Sequence, residues 1–166
     1  MKRPSGTKPR LSLPEPIFFT DRDLGKVVPG VLRDGGLSVE RYCDHFQEAN
    51  VPDEEWLAFV AQKGWIGISH DSNIRRDRVA VHAVMDNGGK LFILRGGLVA
   101  REMAALFLGA LGSIHSIIAR HHDEAFIAVV RRATVRGGGF KSEARVLTTS
   151  SELNKMGVQI PRSKKG

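Results

Sequence analysis

The stretch VPDEEWLAFVAQKGWIGISHD, residues 51–71, places a helix, a strand and an acidic side chain in succession. Residues 52–63 repeat apolar side chains at helical spacing, with Asn50 available as an N-cap and Gly64 as a stop. The run at 65–69 (WIGIS) is short and apolar, which predicts a buried strand. A helix that leads directly into such a strand is typical of an α/β fold.

The same alternation continues on both sides of this stretch. Strands are predicted at residues 17–20, 37–43, 91–94 and 125–130, with an edge strand at 140–148 after a turn at 137–139. Helices are predicted at 29–34, 74–86 and 98–122, the last broken near 109–112, with a loop at 44–51. Continuous apolar strands separated by helices predict a three-layer α/β/α domain with a mainly parallel central sheet.

The composition fits one globular domain. The chain has 166 residues, of which 42% are hydrophobic and 26% charged, and these values exclude a mostly disordered protein. The longest uncharged stretch, residues 103–119, contains Gly, Ser and His, so we expect a buried helix and no membrane span. The single cysteine, Cys43, excludes an internal disulfide and a cysteine-based zinc site. The basic N-terminus has no apolar signal core, so a cytoplasmic protein is expected.

The positive charge is unevenly distributed. Residues 1–14 and 151–166 carry +4 and +3 of the formal net charge of +7, and they are expected to be basic flexible tails around a domain at 15–150. Within that domain, residues 15–71 have a net charge of −6 and residues 72–150 a net charge of +6. An acidic half can gather a hard cation and a basic half can hold a phosphate chain, although both could also be solvated surface.

Three acidic residues are predicted to meet at one edge of the sheet. Asp21 directly follows the first strand, and Asp71 follows the third strand after one residue. Asp53 lies in the first turn of the helix at 52–63, in line with its apolar stripe, and Glu54 is the fallback. Each acid alone could be a cap or loop residue, but three converging carboxylates repel each other unless a cation neutralises them. Oxygen ligands suit Mg²⁺ or Mn²⁺.

At this point the sequence resembles a known family, the PIN-domain ribonucleases, and within it the PIN-like group related to VapC-type toxins of toxin–antitoxin pairs. The resemblance extends over about residues 16–95 and is carried by three segments, FFTDRDLG (18–25), VPDEEWLAFVAQKGW (51–65) and ISHDSNIRRD (68–77). It implies a PIN-like fold and a metal-dependent endoribonuclease.

Carried over residue by residue, the resemblance implies that Asp21, Asp53 and Asp71 are catalytic and bind Mg²⁺ or Mn²⁺. A fourth acidic position of the family falls at Asn73, a departure from the pattern. Asparagine can ligate a metal or hold a water without adding charge, and Asn73 could equally be a helix N-cap. A toxin also implies an RNA substrate and a cognate antitoxin protein.

Two further segments carry hypotheses about binding. Arg75, Arg76 and Arg78 begin the helix after Asp71 and could hold an RNA phosphate together with the free N–H groups of that helix, or could be a solvated helix start. The small residues of the segment at 98–119 would allow a homodimer contact, or the segment could be an ordinary core helix.

Two rival functions remain open. One is a noncatalytic PIN-like module that binds RNA or a protein. The other is a receiver-like signalling domain, which also gathers acids around Mg²⁺ but normally needs a lysine after a later strand, whereas Lys90 precedes the fourth strand. The histidines form no spaced ligand set, so zinc is not expected.

Overall fold

The structure is a computed structural model that describes residues 13–156. Its sheet has six strands in the order β2-β1-β3-β4-β5-β6. The strands are β1 (Ile17–Thr20), β2 (Ser38–Arg41), β3 (Ile66–Ser69), β4 (Lys90–Leu94), β5 (Phe126–Thr134) and β6 (Phe140–Thr149). The first five are parallel and β6 is antiparallel to β5. The predicted mainly parallel sheet is confirmed.

Helices cover both faces of this sheet. They are α1 (Val27–Asp34), α2 (Tyr42–His45), α3 (Asp53–Gln62), α4 (Arg78–Asp86), α5 (Ala100–Gly109), α6 (Leu111–Arg120) and α7 (Ser150–Lys155), with 3₁₀ turns at Arg22–Leu24 and Ile74–Arg76. One apolar cluster lies under α1, α5 and α6, and a second lies under α2, α3 and α4. Phe18 belongs to the first cluster and its neighbour Phe19 to the second, because successive side chains of a strand point to opposite faces. The three-layer architecture is therefore confirmed.

The predicted second strand, 37–43, is too long. It ends at Arg41, and Tyr42 begins helix α2. The Tyr42 ring is buried beside Phe19, and its hydroxyl donates to the carbonyl of Glu48. Burial of this ring outweighs the β propensity that tyrosine has in the sequence.

The predicted helix at 74–86 is divided in two. Asp77 separates the 3₁₀ turn from α4 and caps α4 by accepting hydrogen bonds from the N–H groups of Val79 and Ala80. Asn73 occupies the N-cap position of the 3₁₀ turn, as predicted, but its side chain makes no capping hydrogen bond. The predicted Asn50 cap of α3 is wrong: Pro52 is the N-cap, and the Asn50 amide oxygen accepts from the Arg22 guanidinium.

The helix predicted at 98–122 extends from Ala100 to Arg120, and it is broken as predicted, because α5 ends at Gly109 and α6 begins at Leu111. Its buried residues, such as Phe107 and Ile114, complete the first cluster. Within residues 13–156 no helix alone has the length and apolar composition to cross a membrane, and the pair α5 and α6, which meets both conditions together, is bent by 59°.

The predicted tails lie mostly outside the described residues. Residues 1–12 and 157–166 are not described. The first part of the predicted C-terminal tail, however, is helix α7. Thr149 and Glu152 form a reciprocal capping box at the N-terminus of this helix. Leu153 of this helix packs against the second cluster.

Candidate active site at the carboxyl edge of the sheet

The candidate site lies where the strand order of the sheet reverses. Strand β1 lies between β2 and β3: the chain passes from β1 to β2 on one side and then crosses from β2 to β3 on the other. In open α/β sheets such a switch point leaves a crevice at the carboxyl ends of the strands, where ligands bind. Asp21 directly follows β1 and Asp71 comes two residues after the end of β3, so both lie at this crevice.

Asp21 is the most buried charged group of the site. Its residue surface is 7% exposed, and its carboxylate accepts hydrogen bonds from the Ser69 hydroxyl at 2.8 Å and from the Arg22 N–H at 2.6 Å. Burial raises the pKa of Asp21 to about 6. The negative charges of Asp23 and Asp53 add to this rise, and the two hydrogen bonds oppose it.

Ser69 connects the first and third predicted acids. Its side chain is completely buried, donates to the carboxylate of Asp21 and accepts from the backbone N–H of Asp71 at 3.1 Å. Sequence reasoning missed this residue. The available signal was a polar side chain that closes an otherwise apolar strand, because a buried hydroxyl requires a hydrogen-bond partner.

Asp53 is the first residue of α3 and is half-buried. Its carboxylate accepts a hydrogen bond of 2.9 Å from the indole N–H of the buried Trp56, one turn later in the helix. Its charge acts on Asp21. Glu54, the fallback, is exposed. Asp53 is therefore the acid of this helix start whose charge affects Asp21, and its role in the site remains a prediction.

Asp71 and Asn73 form a local turn. The Asp71 carboxylate accepts from the backbone N–H of Asn73 at 2.9 Å. Asp71 is half-buried, whereas Asn73 is exposed. This turn fixes the orientation of the Asp71 side chain without a contact to the other two acids.

The acids do not form a ready metal site. No group of three or more His, Cys, Asp or Glu side chains in residues 13–156 is arranged to hold a metal ion. Since Asp53 is bound to Trp56 and Asp71 to the turn at Asn73, each carboxylate has its own protein donor. None of the three site carboxylates forms an ion pair within the described part of the chain. The donor atoms are those that Mg²⁺ prefers, and their negative charge is uncompensated.

A basic pocket lies beside the start of α4. Its volume is about 330 Å³, and its lining residues are Arg75, Arg76, Arg78, Val81, His82 and Leu153. Two nitrogen atoms of this lining, Nε of Arg75 and Nδ1 of His82, are buried without a hydrogen-bond partner. Both nitrogens are enclosed by protein atoms, so the charge that the pocket presents to a ligand comes from the three arginine side chains. The three arginines were predicted from the sequence. His82, one turn after Arg78 in α4, and Leu153, which α7 contributes, were not.

Comparisons with known proteins identify the family of the chain. Residues 16–96 match a family described as "PIN like domain". The chain is 40% identical over 102 residues to a protein of Mycobacterium tuberculosis (strain ATCC 25618 / H37Rv) named "Putative ribonuclease VapC45", and the match spans 58% of this chain and 74% of that protein. No solved structure matches the chain. These matches, with the α/β fold, establish that the chain belongs to the PIN-like family that includes VapC-type proteins.

Proposed function

We propose that the chain is an endoribonuclease that hydrolyses RNA phosphodiester bonds and is the toxin of a toxin–antitoxin pair. The observation that carries this proposal is the connection of Asp21 to Asp71 through the Ser69 hydroxyl at the switch point of the sheet. The family match and the ribonuclease named in the relative support the same reaction.

We propose that Asp21, Asp53 and Asp71 would hold Mg²⁺ or Mn²⁺, with the Asn73 amide at the position of a fourth acid. The oxygen donors and their uncompensated charge fit such an ion. When bound, a divalent cation makes a water molecule more acidic and stabilises charge on the leaving oxygen. Because three acidic groups are not assembled among residues 13–156, cation binding would have to draw these ligands together.

The basic pocket would take a phosphate of the RNA. Arg75, Arg76 and Arg78 supply positive charge, and a phosphate oxygen would accept hydrogen bonds from their guanidinium groups. Two of these arginines precede α4 directly after the turn at Asp71. A phosphate bound there would therefore place neighbouring RNA close to the acids.

Cleavage of a mixed RNA pool by the purified protein tests the reaction. We expect cleavage with Mg²⁺ or Mn²⁺, loss of cleavage with EDTA, and a loss of at least about 100-fold in Asp21→Asn and Asp71→Asn, as expected where a group stabilises the transition state. Asp86→Asn, an exposed acid at the end of α4, is the matched control and should cleave normally. Cleavage that survives EDTA and both site substitutions would exclude this mechanism.

The proposed partner is an antitoxin that covers the acidic crevice with a basic or amphipathic segment. Expression of the chain alone should arrest growth, and Asp21→Asn should relieve the arrest. A cytoplasmic location belongs to the same proposal. The homodimer predicted through residues 98–119 remains a prediction. The buried residues of this segment pack within the first cluster, so a dimer contact would have to use its exposed residues.

One observation favours a second candidate, a noncatalytic PIN-like module. The absence of a three-acid metal group among residues 13–156 is what such a module would have. Its signature would be retained RNA binding with no cleavage at any Mg²⁺ or Mn²⁺ concentration, and an unchanged thermal stability when either ion is added.

A further inference from the structure

Strands β5 and β6 extend beyond the rest of the sheet. Strand β4 pairs with β5 only as far as Val130, whereas β5 and β6 remain paired up to Thr134 and Phe140. Residues 131–143, here called the arm, therefore project by four residue pairs, about 14 Å. Three successive glycines at 137–139, with φ of 98°, 102° and 90°, form the turn at its tip.

The arm leaves the same edge of the sheet as the acidic site. Because β5 is parallel to β1 and β3, its carboxyl end lies on the side of Asp21 and Asp71. One strand, β4, separates β3 from β5, which corresponds to about 10 Å at normal strand spacing. The arm and the site can therefore contact one ligand of modest length.

The arm is basic. It contains four bases, namely Arg131, Arg132, Arg136 and Lys141, and one acid, Glu143. Arg131 and Lys141 share Glu143, at 3.1 and 3.8 Å, and all three lie on the sheet face of Val129, which packs in the second cluster with α4. This basic face is thus on the same side of the sheet as the arginine pocket.

The tip also presents an aromatic ring to solvent. Phe140 is 74% exposed, and the neighbouring Lys141 side chain is 63% exposed. Arg136, at the turn, forms no ion pair within the described part of the chain. Phe140 pairs with Thr134 and Lys141 with Ala133, so the ring and the Lys141 side chain lie on opposite faces of the same hairpin tip. An exposed ring and exposed cations at one tip can bind single-stranded nucleic acid, since bases stack on the ring and phosphates bind the cations.

We propose that the arm is a second RNA-binding surface, which holds single-stranded RNA beside the acidic site. This inference rests on the proposed function, because it assumes an RNA substrate. The arm lies outside residues 16–96, which match the PIN-like family.

Binding of a labelled oligouridine of about 20 nucleotides, measured in EDTA over a range of salt, tests the arm. In Arg136→Gln/Lys141→Gln we expect the slope of log K against log salt to become shallower by about 1.4, which corresponds to a loss of about 25-fold at about 0.1 M salt. In Phe140→Ala we expect a loss of about fivefold or more with an unchanged slope, because stacking is lost and charge is not. The matched control, Lys63→Gln/Arg120→Gln, removes two cations from the ends of α3 and α6 at the opposite edge and should bind within about twofold of the parent.

The binding assay separates this proposal from the proposed function. Since EDTA prevents metal-dependent cleavage, the arm can be confirmed in a protein that proves inactive. In a protein that cleaves RNA, the arm variants should raise KM and leave kcat within about twofold. Arm variants that bind RNA like the parent, or that lose self-association or a protein partner instead of RNA, would overturn the proposal.

Discussion

Replacement of Asp21 by asparagine should change how the stability of the protein depends on pH. The Asp21 carboxyl has a pKa of 3.8 without perturbation and about 6 in the folded protein, mainly because it is buried. The folded state therefore keeps the Asp21 proton at a pH at which the unfolded state has released it. The contribution of Asp21 to the free energy of unfolding is therefore greatest below about pH 4 and decreases as the pH rises to about 6. Above that pH the carboxylate is charged in both states, and the folded state bears the full cost of burying it.

The magnitude follows from the shift in pKa. A rise from 3.8 to about 6 corresponds to about 3 kcal/mol of lost stability at neutral pH. Asparagine removes this cost but cannot accept hydrogen bonds from both Ser69 and Arg22, and the lost bond costs about 1–2 kcal/mol at every pH. Asp21→Asn should thus be less stable than the parent near pH 4 and more stable near pH 8. The stability of the variant relative to the parent should change by about 3 kcal/mol between these two pH values.

Urea unfolding from about pH 4 to about pH 8 in the presence of a chelator measures this difference. The fluorescence of Trp56 and Trp65 provides the signal, and exposed Asp86→Asn is the control for the change in net charge. A difference between parent and Asp21→Asn that stays constant across this range would refute the argument, because the Asp21 carboxyl would then titrate alike in the folded and unfolded protein.

Three further outcomes are expected. Ser69→Ala should lower the free energy of unfolding by about 1–3 kcal/mol at neutral pH, measured by urea unfolding, because Asp21 loses a donor and the Asp71 N–H loses its acceptor. Gly109→Ala should destabilise by about 1–3 kcal/mol, since the new Cβ would lie 2.9 Å from the Ser142 hydroxyl, and Ser142→Gly should recover most of this loss in the double variant. Mg²⁺ or Mn²⁺ should raise the Tm of the parent in proportion to the logarithm of its concentration but not that of Asp21→Asn, so equal rises in both proteins would place the ion elsewhere.

The backbone of the site was predictable because it depends on local patterns. Apolar runs at β1 and β3, each followed by an aspartate, determine where Asp21 and Asp71 lie once the strands are parallel. The start of α3 was predicted within one residue, and that position gives Asp53 its half-buried environment. The spacing of apolar residues and the ends of strands depend on residues that are close in sequence, so they can be predicted from a single sequence.

The contacts between these elements were not predictable in the same way. Ser69 is a hydroxyl whose role depends on an acid 48 positions earlier. Leu153 lines a pocket with His82 and the arginines because α7 and α4 are neighbours in space. The division of the predicted helix at Asp77 depends on a competition between capping and continuation, which the apolar pattern does not decide.

The acidic and the basic halves of the sequence form different halves of the sheet. Strands β2, β1 and β3 come from the half with a net charge of −6, and β4, β5 and β6 from the half with +6, and the two sets meet between β3 and β4. RNA is attracted to the basic set and repelled by the acidic one. A phosphate can approach Asp21 and Asp71 closely if a cation neutralises them. A nuclease built in this way would bind RNA through its basic half without a divalent ion and cleave only with one, so its RNA affinity and its catalytic rate should respond to different substitutions.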